Sequence, residues 1–257
     1  MSVMKIFSGS LLIILIIMSV SGCTGKSSGK KGTNNDTITV PDTGYTGITK
    51  YSSNDRLLKE VTFRNGVRHG LMRSFYPGGQ QYQTFWYEND LREDSAKWYY
   101  LEGQVFRSSP YKHDTLDGIQ KQYYRNGKLK AKIGYTKGLR NPLFEEYTQD
   151  GKLIKGYPEI VVSITDEYKN RGTCRIGLEL SDKSTKVKFY RGEFTDGRFD
   201  TARCKIINTV GGKGSLNLKK SGTATVNYVG VLAEIITAYG NKYLTYKKIE
   251  LPYNDLK

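Results

Sequence analysis

Gln120-Lys-Gln-Tyr-Tyr-Arg-Asn-Gly-Lys-Leu-Lys-Ala-Lys-Ile133 is a hairpin written in one line. Gln120 to Arg125 runs into Asn126-Gly127, the dipeptide best suited to supply two positive φ angles for a two-residue turn. Beyond it the chain alternates strictly, with Leu129, Ala131 and Ile133 on one face and Lys128, Lys130 and Lys132 on the other. Helical periodicity has no place here, so the stretch predicts two antiparallel strands.

Read outward, the hairpin recurs. Gly79, Gly103, Gly127 and Gly151 stand 24 residues apart, as do Phe63, Tyr87, Tyr111 and Tyr135. Phe75, Tyr99, Tyr123 and Tyr147 form a second aromatic column at the same step. Leu57, Gln81, Val105, Leu129 and Leu153 make a mostly apolar column, and Gly66, Asp90, Asp114 and Gly138 one suited to turns. A fixed period across several columns means stacked identical units. A lone hairpin is unstable in water, so the units must pair side by side into one long twisted meander. The aromatic columns would run down it as ladders. Each tandem pair, such as Tyr99-Tyr100 or Tyr123-Tyr124, should then put one ring on each face and leave half of them exposed.

These residues resemble the MORN family, specifically its bacterial variant. The third copy carries the likeness best, through Tyr111, Gly118, Tyr123-Tyr124, Asn126-Gly127 and Leu129. The first follows with Phe63, Asn65-Gly66, Gly70, Phe75-Tyr76 and Gly78-Gly79. Copies two and four place Asp94 and Pro142 where Gly70 and Gly118 sit, which predicts distorted backbone there. The likeness covers about Tyr51 to Lys155. It implies architecture rather than activity: bacterial chains with this repeat are often labelled YwqK-type antitoxins, and eukaryotic members are associated with membrane lipid and protein scaffolding. Neither role brings a catalytic motif.

The chain begins as an exported protein does. Lys5 precedes the apolar run Leu11 to Met18, which is short for a membrane span. The segment ends in Val20-Ser21-Gly22-Cys23, similar to a bacterial lipobox, which implies cleavage after residue 22 and lipidation of Cys23. Several acyl chains together anchor stably, whereas one is marginal. Residues 23–49, rich in Ser, Gly, Thr, Asn and Lys, read as the lipidated cysteine and a flexible tether. Lys26, Lys30 and Lys31 make the start of the tether basic. Surface-exported lipoproteins often carry acidic residues there, so the reading is a cell-envelope protein on the outer membrane, facing the periplasm.

The formal net charge is +15. It is spread over the repeat domain (50–156) and the remainder (157–257) and is not gathered in one arm. This balance suits an acidic protein, an anionic lipid or a cell-wall glycan. The export signal speaks against nucleic acid.

After Gly156 the columns stop. Glu159–Thr165, Thr173–Ser181, Lys186–Arg191, Ala202–Asn208, Ser215–Lys219, Thr223–Val231 and Tyr243–Leu251 read as seven short strands parted by glycine turns. That pattern predicts a β-sandwich similar to immunoglobulin-like or fibronectin-like modules. The whole chain is therefore read as all-β. Val231 to Tyr239 fits a strand or a turn or two of helix. Cys174 falls in register with Ile176, Leu178 and Leu180, and Cys204 with Ala202 and Ile206, so both thiols point inward. Two readings stand open: a disulfide, suited to an oxidising compartment, or two buried free thiols.

No constellation for catalysis or metal binding stands out. The two histidines, His69 and His113, sit in different repeats, and His69 occupies a slot held elsewhere by Glu93, Asp117 and Asn141, as a solvent-facing turn residue would. Gly211-Gly212-Lys213-Gly214 lacks the Ser or Thr and the helix of a phosphate loop and reads as a hairpin turn. No cofactor is expected. What remains is surface: Tyr99, Tyr100, Tyr123, Tyr124, Arg125, Lys128, Lys130 and Lys132 are the candidate binding residues. The sequence thus points to a non-enzymatic, lipid-anchored scaffold contacting an envelope protein. An immunity or antitoxin role, and direct binding of anionic lipid or glycan, are the alternatives.

Overall fold

The computed structural model describes residues 43–222 and 227–257. The signal segment, Cys23 and the first part of the tether lie outside them. The rest is almost entirely antiparallel sheet.

The repeats form one sheet of ten strands. In chain order these are β1 (Gly47–Ser53), β2 (Arg56–Arg64), β3 (Val67–Phe75), β4 (Gln81–Glu88), β5 (Leu91–Tyr99), β6 (Val105–Lys112), β7 (Thr115–Leu116), β8 (Gly118–Tyr123), β9 (Leu129–Thr136) and β10 (Leu139–Glu146). Each pairs with its sequence neighbour, except that β7 is a two-residue spur on β6 and β8 takes the next place. β1 begins inside the stretch read as tether. Tyr45 packs edge-on against Phe63 at 6.2 Å, and its carbonyl accepts from Gly66. The edge of β2 templates this strand, which a polar composition conceals.

Two kinds of turn alternate along the meander, and the sequence had them reversed in one respect. The Asn126-Gly127 turn is not a two-residue turn: only Gly127 has positive φ, at 78°. Tyr124 N–H donates to Lys128 O and Gly127 N–H to Tyr124 O, which closes a three-residue loop ending in a left-handed glycine. The same bonds recur at Tyr76/Gln80, Tyr100/Gln104 and Thr148/Lys152, which explains the invariant glycine column. The true two-residue turns lie at the opposite ends of the strands. There Asn65-Gly66, Asn89-Asp90, His113-Asp114 and Lys137-Gly138 all have two positive φ values. His113 is thus a turn residue, whereas His69 is part of β3. Asp94 keeps the left-handed backbone of its glycine counterparts at φ 57°. At Pro142 the β9–β10 register shifts between Arg140 and Phe144. The same shift occurs between Val61 and Phe63 in β2–β3 and between Thr84 and Trp86 in β4–β5. Pro142 thus occupies an irregularity common to the repeats, where a residue without an N–H is tolerated, and the expected distortion peculiar to copies two and four is not seen.

Beyond Gly156 two four-stranded sheets face each other. The first has the order β11 (Ile160–Glu167), β12 (Thr173–Leu180), β16 (Lys213–Lys219), β15 (Thr209–Val210). The second has β14 (Lys205–Ile207), β13 (Val187–Arg191), β17 (Tyr228–Ile236), β18 (Lys242–Glu250). This is the strand order of an immunoglobulin-type sandwich with one added edge strand. Ile176, Leu180, Phe189, Val231 and Ala233, all fully enclosed, fill the space between the sheets. The 231–239 ambiguity resolves as strand up to Ile236. Ala202–Asn208 is not one strand: a 3-10 turn at Thr201–Arg203 precedes β14 and shifts the alternation by one. Ile207 is buried and Ile206 is 68% exposed, the reverse of the expected phase.

That shift decides the cysteines. Both thiols are free. Cys174, on β12, lies in the core between the sheets. Cys204 packs in a separate cluster of Tyr190, Phe199, Leu232 and Leu244. The position facing β12 across an immunoglobulin-type core belongs to β17, which supplies Val229, Val231 and Ala233 there. The disulfide reading is therefore not realised.

Candidate functional site

Each unit of the meander locks to the next through side chains that recur every 24 residues. Tyr76 donates its hydroxyl to Tyr99 O at 2.7 Å, Tyr100 to Tyr123 O at 2.9 Å, and Tyr124 to Tyr147 O at 2.7 Å. Arg68 bonds Asp90 through Nε at 2.8 Å and lies 4.4 Å from the Tyr87 ring centre. Arg92 repeats this with Asp114 at 2.7 Å and with Tyr111 at 4.4 Å. These hydrogen bonds from arginine hold the Asp90 and Asp114 carboxyls below the usual carboxylate range. The first aromatic column is therefore interleaved with guanidinium groups instead of stacking ring on ring.

This geometry revises the proposed binding residues. Tyr99, Tyr100, Tyr123 and Tyr124 are all half-buried, because strands β5 and β8 end at the first of each pair and the second enters the turn. Tyr100 and Tyr124 staple units together through their hydroxyls, whereas Tyr99 and Tyr123 lend only their carbonyls to such bonds and line grooves beside Lys97 on the sheet surface. Arg125 lies 4.8 Å from the Tyr100 ring centre and pairs with Glu102. Lys128 donates to Asp150 O at 3.1 Å, and Lys132 pairs with Glu145 at 2.8 Å. Lys130 lies 5.9 Å from the Tyr124 ring centre. The charge on this strand is answered largely within the molecule.

The sheet nevertheless has an open face, one that sequence reasoning missed. Following the register across all nine path strands gives a single line: Lys50, Glu60, Arg73, Thr84, Lys97, Ser108, Lys121, Lys132, Glu145. At one end Lys132 pairs with Glu145, and at the other a single carboxylate, Glu60, lies 3.6 Å from both Lys50 and Arg73, so one positive charge of that pair is left unanswered. The middle of the line has no carboxylate. Lys97 and Lys121 are exposed, Lys97 between Thr84 and Ser108 and Lys121 between Ser108 and Lys132, and neither has an ion-pair partner among the described residues.

Beside this line runs an apolar rail. Trp86 is 41% exposed opposite the half-buried Leu71, and Ile119 and Leu143 are 41% and 39% exposed. Arg73, Lys97 and Lys121 are themselves 24 residues apart, as are Leu71, Ser95, Ile119 and Leu143. That signal was available in the sequence. It was overlooked because the aromatic columns are more conspicuous, and only the register shows that these residues share a face.

Where the sheet meets the sandwich, Glu146 is fully enclosed. Asn241 and Thr237 donate to its Oε1 at 2.7 and 2.8 Å, and Tyr157 to its Oε2 at 3.2 Å. Burial, and then the carboxylate, push the Tyr157 phenol far above its usual range. Tyr157 stacks on Tyr243 at 4.5 Å, and Phe144 meets both at 5.4 Å. Phe199 N–H donates to Arg140 O at 2.7 Å, a second tie between the two parts. A cleft of roughly 340 Å³ lies against this joint. Among the described residues, no group of three or more His, Cys, Asp and Glu is placed to hold a metal ion.

A stacked β-meander closed on one face by its own arginines and aromatics, and open on the other, is a repeat-built interaction module. Residues 116–137, within the third and best-matching copy, are similar to the family described as MORN repeat variant. No curated protein matches the chain.

Proposed function

We propose that the protein is a lipid-anchored, non-enzymatic component of the bacterial envelope, and that its MORN-like sheet is a scaffold for a protein partner. Cys23 would carry the lipid, residues after it would supply reach, and the sandwich would brace the last strand of the sheet. One observation carries the reading: exposed Lys97 and Lys121, with no internal counter-charge, lie beside exposed Trp86 and Ile119. An apolar surface interspersed with unpaired cations is a poor device for stability and a good one for recognition.

The test has two arms. A fatty-acid analogue should label the wild type and not Cys23→Ser. Lys97→Glu with Lys121→Glu should leave the melting temperature nearly unchanged and abolish crosslinking to the envelope partner. Unaltered crosslinking in the double variant would remove this face from the account.

A further inference from the structure

The cation line fixes what kind of segment could lie on it. Arg73, Lys97 and Lys121 sit two strands apart. Neighbouring strands are separated by 4.7–4.9 Å, so successive cations are roughly 9.5 Å apart at the backbone. The apolar rail of Trp86, Ile119 and Leu143 runs alongside.

The line is not planar. Sheets twist by roughly 20–25° per strand about the axis along which this row runs. From Arg73 to Lys121 the side chains therefore turn through roughly a quarter circle over four strand steps. A flat lipid surface could meet only part of such a row, and a straight α-helix could not follow it. A flexible, extended chain can wind with it.

Among extended chains the spacing selects further. In a β-strand, residues on one face recur at roughly 6.7 Å, out of step with the cations. A polyproline II segment has three residues per turn and rises 3.1 Å per residue, so every third side chain returns to one face after roughly 9.3 Å. Such a segment also presents a second edge, which an apolar residue could lay along the rail. A fully hydrophilic polyanion would leave Trp86, Ile119 and Leu143 uncovered.

We infer that the partner contributes an extended, polyproline II-like segment with an acidic residue at every third position and apolar residues beside it. It would lie across strands β3 to β8, with its carboxylates on Arg73, Lys97 and Lys121. This inference rests on the scaffold reading and specifies the partner's chemistry. Thr84 and Ser108 between the cations space the charges without filling the gaps.

The test uses the full chain in non-ionic detergent with three probes. The first is a (Glu-Leu-Pro)5 peptide. The second is a peptide of the same composition with its glutamates at alternate positions, and the third a linear polyuronate. The first should bind about tenfold more tightly than the second, and Lys97→Gln with Lys121→Gln should erase that preference. Binding should weaken with added salt and change the fluorescence of Trp86. Equal affinity for the two peptides would overturn the register argument, and tighter binding of the polyuronate would make the face a glycan site. If neither peptide binds selectively while crosslinks through this face still reach a protein in cells, the scaffold reading stands and this inference falls. Loss of both would sink the two together.

Discussion

At the scale of single residues, the tyrosines are the clearest case of side chains whose role differs from their appearance. In a pair such as Tyr123-Tyr124 the second hydroxyl bonds the carbonyl of the next unit, so abundance of tyrosine reflects construction. Tyr100→Phe should lower stability by about 0.5–1.5 kcal/mol, the net worth of one such bond, as measured by urea unfolding. The arginine–aspartate clips respond to acid. Asp114 has its pKa held below the unfolded value of about 3.9, so its contribution is present above that pH and lost as pH falls through the folded pKa. Because the pair is partly exposed, Asp114→Asn should cost less than about 1 kcal/mol at neutral pH. The gap between variant and wild type should start to narrow below the ordinary aspartate pKa of about 3.9 and close as the pH falls through the lower folded pKa, as followed by melting temperature against pH. A gap that widened in acid would mean the aspartate acts through something other than its charge.

At the scale of elements, the period was legible and the turn chemistry only half so. Glycines at a 24-residue step announced the meander, because a left-handed loop position tolerates little else. Asn-Gly, however, is compatible with two loops, and the sequence does not say which strand end closes tightly. Gly127→Ala should cost about 1 kcal/mol, since alanine resists the left-handed region. A two-residue turn would demand positive φ of Asn126 as well, and its φ is ordinary. Among the described residues the sandwich has one strand more than the seven read, the two-residue β15, and the phase of residues 202–208 departs from the reading for a similar reason. Asp200 accepts from Ala202 N–H and starts a 3-10 turn, which changes the alternation before Cys204. Short apolar alternation carries no record of such a slip. The open face was hidden by the same limit: Lys97 and Lys121 are ordinary lysines until strand register puts them in one line. Deleting one whole period, Gln104 to Gly127, should leave a folded, shorter sheet by circular dichroism and proteolysis. Deleting 12 residues should mismatch the faces and unfold it.

At the scale of the whole molecule, the meander ends on a carboxylate that the sandwich completes. Glu146→Leu leaves Asn241, Thr237 and Tyr157 without their acceptor and should destabilise the joint by about 3 kcal/mol. Calorimetry should then resolve two transitions where the wild type has one, because the sandwich keeps its own core. Glu146 is the last residue of β10 and follows Glu145, the end of the cation line, so the joint ties that end of the sheet to the sandwich. The most direct measurement of the central claim is site-specific photocrosslinking in living cells. The photoreactive residue is placed at Ile119 on the open face or at Gln122 on the closed one, both on β8. The account predicts a discrete protein adduct from Ile119, none from Gln122, and loss of the Ile119 adduct when Lys97 and Lys121 become glutamate. Equal adducts from both positions, or an Ile119 adduct indifferent to the two charges, would contradict it.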